Sequence, residues 1–151
     1  MTPRPMHRQD RQLPQEEAWA LLTQGTYGVL SVVGDEGWPY AVPMHYTVMD
    51  GQIYLHCAKT GYKLDAIARD DRVCFTVTLR EELVQDHATS LYESVVVLGR
   101  AALVTDQATH QAALAHLVDA LGRVSPDLRD QYIARRGQNT AVLVIRPIHL
   151  T

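Results

Sequence analysis

At 151 residues the chain has the length of a single domain, which buries roughly two-thirds of the surface that its unfolded form exposes. Hydrophobic residues make up 46% and charged residues 21%, as in ordinary globular proteins, which argues against a disordered or fibrous protein. The formal net charge of -3 gives no general reason to expect a nucleic-acid partner.

The N-terminal residues and the cysteines indicate the setting of the chain. Residues 1–12 are basic and lack the apolar core of a signal peptide, so we interpret them as a flexible lead-in to one domain over 13–151. No apolar run approaches the length of a membrane span, so we expect no membrane partner. Cys57 and Cys74 lie in strand-like runs without the spacing of a zinc site or a disulfide framework, which fits a reduced, cytoplasmic setting.

Periodicity and turn residues predict strands joined mainly by hairpins, with helices beside them. The predicted helices cover 13–22, 60–69 and 107–121, with a further one after Pro126, and the predicted strands cover 26–33, 38–49, 52–57, 72–79, 92–104 and 141–148. The polar residues 80–90 are expected to form a loop. Because strands and helices rarely alternate, the pattern indicates a mainly β fold, an antiparallel six-stranded barrel with peripheral helices, rather than a doubly wound parallel sheet.

The most informative stretch is the hairpin around Asp50 and Gly51. This dipeptide supplies the positive φ that a two-residue type I′ turn requires, and the turn sets the strand register. Counting outward pairs Met49 with Gln52, Val48 with Ile53, Thr47 with Tyr54, Tyr46 with Leu55 and His45 with His56. One face, with Met44, Tyr46, Val48, Ile53, Leu55 and Cys57, is expected to face the core, and the other, with His45, Thr47, Met49, Gln52, Tyr54 and His56, to contact a ligand or another subunit.

Two prolines interrupt the strand that leads into this turn. Pro39 and Pro43 have no N–H to donate to a ladder. Their part of the strand must therefore lie at an edge, at a bulge, or where the backbone turns to meet another group.

Lysines flank the start of the helix that follows the hairpin. Thr60 is its predicted N-cap, and its predicted buried side carries Leu64, Ile67 and Ala68. Lys59 and Lys63 add two ammonium groups to the positive end of the helix dipole, which describes a site for a phosphate monoester. The alternative is that both lysines are simply solvated. Together with the apolar edge at 42–45, an anion site here favours a nucleotide-like ligand with a flat ring.

The paired histidines allow more than one role. Cross-strand imidazoles such as His45 and His56 can bind a metal or haem iron, but no third ligand is indicated and we predict no metal site. Hydrogen bonding or stacking beside a ligand is the favoured role, and either histidine can donate a proton. The adjacent Cys57 is interpreted as a small buried hydrophobe. No dinucleotide fingerprint and no nucleophilic triad stand out.

Several motifs recur in the order found in a known family. They are Gly28-Val29-Leu30-Ser31, the run 37–43, the run 50–56, Ala58-Lys59-Thr60-Gly61-Tyr62-Lys63-Leu64 and the run 92–101. In these motifs the chain resembles the flavin-binding split-barrel superfamily of pyridoxamine 5′-phosphate oxidase-like proteins, and within it the nitroimidazole-resistance (Nim) type. The resemblance covers about residues 8–148, and Tyr62 stands where such relatives often have histidine.

The resemblance implies a six-stranded antiparallel split β-barrel, a homodimer, and one FMN in each of two clefts between subunits. It implies that Pro43, Met44 and His45 border the flavin ring, that Tyr54, Leu55, His56 and Cys57 run along the ribityl chain, that Lys59 and Lys63 meet the phosphate, and that the partner supplies Tyr92, Glu93, Ser94 and Val95. The resemblance also implies that Val42 and Leu64 adjoin the same site.

The function that this resemblance implies is an FMN-dependent oxidoreductase. Electrons would pass from NADH or NADPH through the flavin to a small aromatic acceptor such as a nitro compound. His56, with His45 behind it, is the predicted catalytic residue, near the acceptor or supplying a proton. Two alternatives stay open: a flavin- or haem-binding split barrel without turnover, and a deazaflavin-dependent relative.

Overall fold

The computed structural model describes residues 4–85, 88–122 and 124–151, so residues 1–3 of the predicted lead-in lie outside it. Six strands and four α-helices follow one another along the described chain. They are α1 (Gln15–Gln24), β1 (Tyr27–Val33), β2 (Pro39–Met49), β3 (Gln52–Ala58), α2 (Tyr62–Arg69), β4 (Arg72–Val84), β5 (Thr89–Leu103), α3 (Gln107–Ala120), α4 (Pro126–Arg136) and β6 (Thr140–Leu150). Single turns of 3-10 helix cover Gln9–Arg11, Asp35–Gly37 and Gly137–Asn139.

The strands form a closed barrel in the order β1-β2-β3-β6-β5-β4, and every neighbouring pair is antiparallel. This confirms the predicted mainly β, six-stranded antiparallel barrel. Its interior is filled by apolar side chains from all six strands together with α1 and α2. A second, smaller core lies outside the barrel, where α3 covers Tyr54, Val142 and Val144.

The hairpin register is confirmed for four of the five predicted pairs. Asp50 and Gly51 have φ of 52° and 70°, as a type I′ turn requires, and the ladder runs from Met49↔Gln52 to Tyr46↔Leu55. The fifth pair, His45 with His56, is absent from the ladder. Strand β2 leaves β3 at this point and continues beside β1 alone, while β3 continues beside β6 as far as Ala58. The barrel is therefore split between β2 and β3.

The split explains the two prolines. The amide of Tyr46 donates to the carbonyl of Thr26 on the β1 side at 3.0 Å. Backbone groups of alternate residues point to opposite neighbours, so Pro43 and Pro39 direct their nitrogens away from β1. On that side the proline nitrogens face the opening between β2 and β3, where no neighbouring strand pairs with this part of β2. The edge position is thus the correct one of the three predicted alternatives.

The predicted faces of the hairpin are mostly confirmed. Met44, Tyr46, Ile53 and Leu55 are buried in the barrel, and Val48 and Cys57 pack against the same core. On the other face, however, Tyr54 is only 5% exposed because α3 packs over it. That face contacts the chain's own helix at Tyr54, and the part still open to a ligand begins at His56.

The described residues of the segment 80–90 do not form the predicted loop. Strand β4 extends to Val84 and β5 begins at Thr89, so residues 80–84 pair with 89–93 and form a two-stranded arm, the β4–β5 arm. Cross-strand pairs explain the difference, because they stabilise strands that composition alone does not predict. One such pair is Arg80 and Glu93, in which Arg80 Nε lies 3.7 Å from Glu93 Oε2. Residues 86 and 87 lie outside the described residues.

The start of α2 also differs from the prediction. Gly61, at φ 138°, is the N-cap in place of Thr60, and the helix begins at Tyr62. A glycine adopts that backbone conformation without the strain that a side chain would add, so the chain turns into the helix one residue later than expected. The buried side carries Ala66 and Ile67, whereas Ala68 is exposed.

Two hydroxyl groups fix the ends of the barrel. The buried Tyr46 hydroxyl donates to the carbonyl of Leu22 at 2.6 Å and ties α1 to β2. The Tyr62 hydroxyl accepts from the amide of Asp35 at 2.7 Å, so this side chain supports the β1–β2 turn. Among the described helices, none is long and apolar enough to cross a membrane.

Candidate functional site

An open cleft of about 580 Å³ lies where β2 and β3 part. Its volume is in the range of small-molecule and cofactor sites. Four parts of the chain form its wall: the start of β1 beside the middle of β2, the end of β3, the first turn of α2, and the C-terminal half of α4 with the residues that lead into β6. The lining residues are Tyr27, Val42, Pro43, Met44, His45, His56, Cys57, Ala58, Lys63, Tyr132, Arg136, Asn139 and Thr140.

The free edge of β3 supplies main-chain hydrogen-bonding groups to this cleft. Tyr54 is paired with Thr47 of β2, on the strand side opposite β6. By the alternation of an antiparallel strand, the N–H and C=O groups of His56 and Ala58 point to the same side as those of Tyr54. Strand β2 has already diverged there, so these groups face the cleft. A flat heteroaromatic ring or a polyol chain can use such an edge as a ladder partner.

The two histidines are close but differently held. His45 is exposed, packs edge-on against Tyr27 at 4.9 Å between ring centroids, and lies with its Nδ1 3.1 Å from the carbonyl of Thr26. Because a carbonyl only accepts, Nδ1 carries the proton in this contact and Nε2 is the free nitrogen. His56 is half-buried, and burial together with the nearby His45 lowers its pKa, so its imidazole is neutral at pH 7.

Lys63 and Arg136 are the two side chains of fixed positive charge in the cleft, and among the described residues no aspartate or glutamate lines it. Lys63 projects from the first turn of α2 and is half-buried. Arg136 ends α4, with its guanidinium 5.8 Å from the ring centroid of Tyr132. The electrostatics of the cleft therefore favour an anionic ligand.

Lys59 is not part of this cleft. Its side chain lines a neighbouring cavity of about 320 Å³ between α3 and α4, beside Gln107, His110 and Gln138. That Lys59 and Lys63 bind a phosphate together stays a prediction, and the structure gives Lys63 a different cationic neighbour in the cleft, Arg136.

Other predicted site residues face the cores. Leu55 is fully buried in the barrel, Leu64 packs against the same core, and Tyr54 lies under α3. Neither Tyr54 nor Leu55 lines the cleft, so their contact with a ligand stays a prediction. Cys57 lines the cleft, but burial raises the pKa of its thiol despite the opposing charge of Lys63, so it stays protonated at pH 7.

The segment of Tyr92, Glu93, Ser94 and Val95 does not line the cleft of its own chain. It lies on β5, where the strand passes from the β4–β5 arm into the barrel. Tyr92 is 60% exposed, and Val95 is buried in the barrel core. That it completes a site in a second subunit stays a prediction.

Six lining residues escaped the sequence analysis: Tyr27, Ala58, Tyr132, Arg136, Asn139 and Thr140. The spacing of Tyr132 and Arg136, four residues apart on a helix, places them on one face. Nothing in that spacing indicates which element the face meets. The packing of α4 beside the end of β3 decides it.

The comparisons with solved structures show the same fold. A conserved hypothetical protein from Mycobacterium tuberculosis superposes with a TM-score of 0.82 at 20% identity, over 97% of this chain and 88% of that one. A proposed 5-nitroimidazole antibiotic resistance protein from Bacteroides thetaiotaomicron gives 0.73 at 21%, over 91% and 81%. A flavocytochrome from Azotobacter vinelandii gives 0.73 at 24%, over 92% and 66%.

The sequence itself gives one family assignment. A search of curated proteins finds no match. The family model described as pyridoxamine 5′-phosphate oxidase matches residues 14–151, which is nearly the whole chain. The chain therefore belongs to the pyridoxamine 5′-phosphate oxidase-like family.

Proposed function

We propose that the protein is an FMN-binding oxidoreductase that works as a homodimer. The observation that carries the proposal is the split between β2 and β3, which opens a cleft with a free strand edge, an apolar wall and positive charge. Membership of a family of pyridoxamine 5′-phosphate oxidase-like proteins supports it, and so does structural likeness to a flavocytochrome.

The lining residues fit a flavin mononucleotide. Lys63 supplies an ammonium group at a helix N-terminus, where a phosphate is stabilised. The edge groups of His56 and Ala58 are available to the ring or the ribityl chain. Val42 and Pro43 provide an apolar surface against which a planar ring can pack.

A bound flavin would supply the redox chemistry, taking a hydride from a reduced nicotinamide and passing electrons to the acceptor. The residues of this chain would hold the ring and transfer protons. His56 is neutral and half-buried, so it can accept a proton near the ring, and the free Nε2 of His45 is available to relay one. We propose a small aromatic acceptor such as a nitro compound and, from the two free cysteines, a cytoplasmic setting.

The second subunit is part of the proposal because the β4–β5 arm exposes large apolar side chains. Leu83 is 74%, Leu91 62% and Tyr92 60% exposed. Exposed apolar side chains grouped on one arm are typical of a protein–protein interface. Placing this arm over the cleft of a second copy would bring Tyr92 and Glu93 to the partner's ligand.

The test is an absorbance spectrum of the purified protein, followed by anaerobic titration with NADH or NADPH. In buffer near neutral pH we expect the absorbance bands of an oxidised flavin and a dimer in solution. We also expect release of FMN on denaturation, and loss of the flavin absorbance on addition of NADH or NADPH. Colourless protein that fails to bind added FMN would overturn the flavin assignment. Bound flavin that neither nicotinamide reduces would leave a binding role without turnover.

A haem-binding role is the second candidate, and the state of His56 favours it. A neutral imidazole in a partly buried cleft is the form that ligates haem iron. A Soret band on adding haemin, lost in His56→Ala and retained in His110→Ala, would support this role. His110 is a suitable control because it lines the neighbouring cavity instead.

A further inference from the structure

We propose that the cleft continues onto an aromatic patch formed by Trp38, Tyr40 and Tyr62, and that this patch binds the adenine ring of an adenylate. The inference rests on the proposed function, because it extends the site of the same flavin. An adenylate can reach the patch as the AMP half of FAD, bound in place of FMN, or as the AMP half of the nicotinamide reductant. The chemistry of the contact is the same in both.

Two parts of the chain lead from the cleft to the aromatic patch. Alternate residues of an extended chain share a face, so Val42, which lines the cleft, shares its face with Tyr40 and Trp38. On α2, Lys63 lines the cleft and Tyr62 precedes it in the first turn. The two parts meet where Tyr40 and Tyr62 pack edge-to-face, with ring centroids 4.8 Å apart. The patch is therefore continuous with the cleft.

The patch lies beyond the point at which FMN ends. Each residue of a strand advances the chain by about 3.3 Å, so Trp38 lies about 13 Å along the chain from Val42. Lys63 and the unpaired amides of the first turn of α2 mark the phosphate position. FMN ends at its phosphate, whereas a dinucleotide continues through a second phosphate and a ribose to adenine. A ring-binding surface past this position thus matches a dinucleotide.

The rings of the patch are exposed, and two of them are held in place. Trp38 is 71% exposed, and Tyr40 and Tyr62 are each 38% exposed. The hydrogen bond from the amide of Asp35 to the Tyr62 hydroxyl fixes the ring that supports Tyr40. Trp38 is not among the side chains that fill the two cores. Because the tyrosine rings are ordered before a ligand binds, stacking a base on the patch costs little further conformational entropy.

The surroundings of the patch favour an uncharged base over a phosphate. A Cβ atom added at Gly37 or Gly61 would meet no described atom within 4 Å, so the approach to the patch is open. The charge of Asp35 is balanced by Arg69, whose Nη2 lies 2.5 Å from Asp35 Oδ1. Glu36 of the same turn forms no salt bridge with any described residue. This remaining negative charge leaves the phosphates at the start of α2 and the neutral adenine at the patch.

Three variants test the contact. Trp38→Ala removes the most exposed ring, and Trp38→Phe keeps a smaller one. Leu128→Ala is the matched control, because Leu128 is 57% exposed and lies on α4, outside both the cleft and the patch. Loss of base stacking on one aromatic ring corresponds to about 5- to 150-fold weaker binding. Because Trp38 is largely exposed, we expect the lower end, about fivefold. Melting temperatures check that each variant keeps the fold.

The experiment measures binding by calorimetry in two arms, without turnover. The first arm titrates FAD and FMN into the full chain freed of its cofactor. The second arm titrates 5′-AMP and ribose 5-phosphate into the oxidised, FMN-loaded protein. In one arm or both, we expect Trp38→Ala to weaken binding of the adenine-containing ligand about fivefold. We expect a smaller loss in Trp38→Phe, none in Leu128→Ala, and unchanged binding of FMN and ribose 5-phosphate in all three variants.

The outcomes separate the inference from the proposed function. Loss of FAD affinity identifies the adenylate as part of the cofactor, and loss of AMP affinity identifies it as part of the reductant. Adenylate binding that is undetectable or unchanged in both arms overturns the inference and leaves the FMN assignment intact. Equal losses of FAD and FMN affinity in Trp38→Ala also overturn it, because the tryptophan would then act on the flavin half. A protein that binds neither flavin overturns both proposals.

Discussion

Replacing Lys63 by alanine tests where the phosphate of the cofactor lies. Lys63 is half-buried and lines the cleft at the start of α2, whereas Lys59 lines the cavity between α3 and α4. Both lysines flank the same helix in the sequence. Only the tertiary structure distinguishes them, so the pair is a matched comparison.

The expected magnitude follows from the loss of one charge-assisted hydrogen bond. Such a bond contributes about 1.5–3 kcal/mol, or about 10- to 150-fold in Kd. Because Lys63 is partly exposed, solvent and salt screen its charge, and we expect the lower end, about tenfold. Riboflavin has no phosphate, so its affinity should be unchanged.

The assay is quenching of flavin fluorescence on titration into protein freed of its cofactor. FMN and riboflavin are titrated into the wild type, Lys63→Ala and Lys59→Ala at low and high ionic strength. We expect about tenfold weaker FMN binding in Lys63→Ala, a smaller difference at high salt, and a change of less than threefold in Lys59→Ala. Equal losses in the two variants, or an equal loss of riboflavin affinity in Lys63→Ala, would refute the placement.

Three further predictions concern the scaffold and its pH dependence. Tyr46→Phe leaves the Leu22 carbonyl without its donor and should cost about 1–3 kcal/mol, seen as a lower Tm, while exposed Tyr40→Phe serves as the control. Gly28→Ala should cost a similar amount, about 1–3 kcal/mol in chemical denaturation, because the new methyl group would lie 2.5 Å from Phe75 Cζ; unchanged stability would contradict that close approach. The lowered pKa of His56 means that the unfolded chain binds more protons near pH 6. The stability that this histidine contributes is therefore present above its ordinary pKa and is lost as the pH falls below that value. We expect Tm to fall more steeply from pH 7.5 to 5.5 in the wild type than in His56→Gln. Parallel curves of Tm against pH would contradict the lowered pKa of His56.

The local pattern of the sequence predicts most of the scaffold. The Asp50-Gly51 turn sets the register of four cross-strand pairs, and alternation along β2 and β3 identifies the core-facing side chains. Capping and apolar spacing locate the helices to within a few residues. These features depend on neighbours in the chain, and for that reason they can be inferred without the tertiary structure. The same local reasoning was wrong for residues 80–90, where the partner strand stabilises β4 beyond what composition indicates.

The site itself depends on contacts that no local pattern encodes. Sequence placed His45, His56 and Lys63 near one ligand, but it also paired the histidines in a ladder, which the divergence of β2 from β3 prevents. It gave no indication that α4 brings Arg136 to the same cleft. The sequence by itself thus determined the barrel strands, the hairpin and the candidate groups along it. Tertiary structure decided which groups share the cleft, because the path of a diverging strand and the packing of a distant helix are set by long-range burial in the two cores.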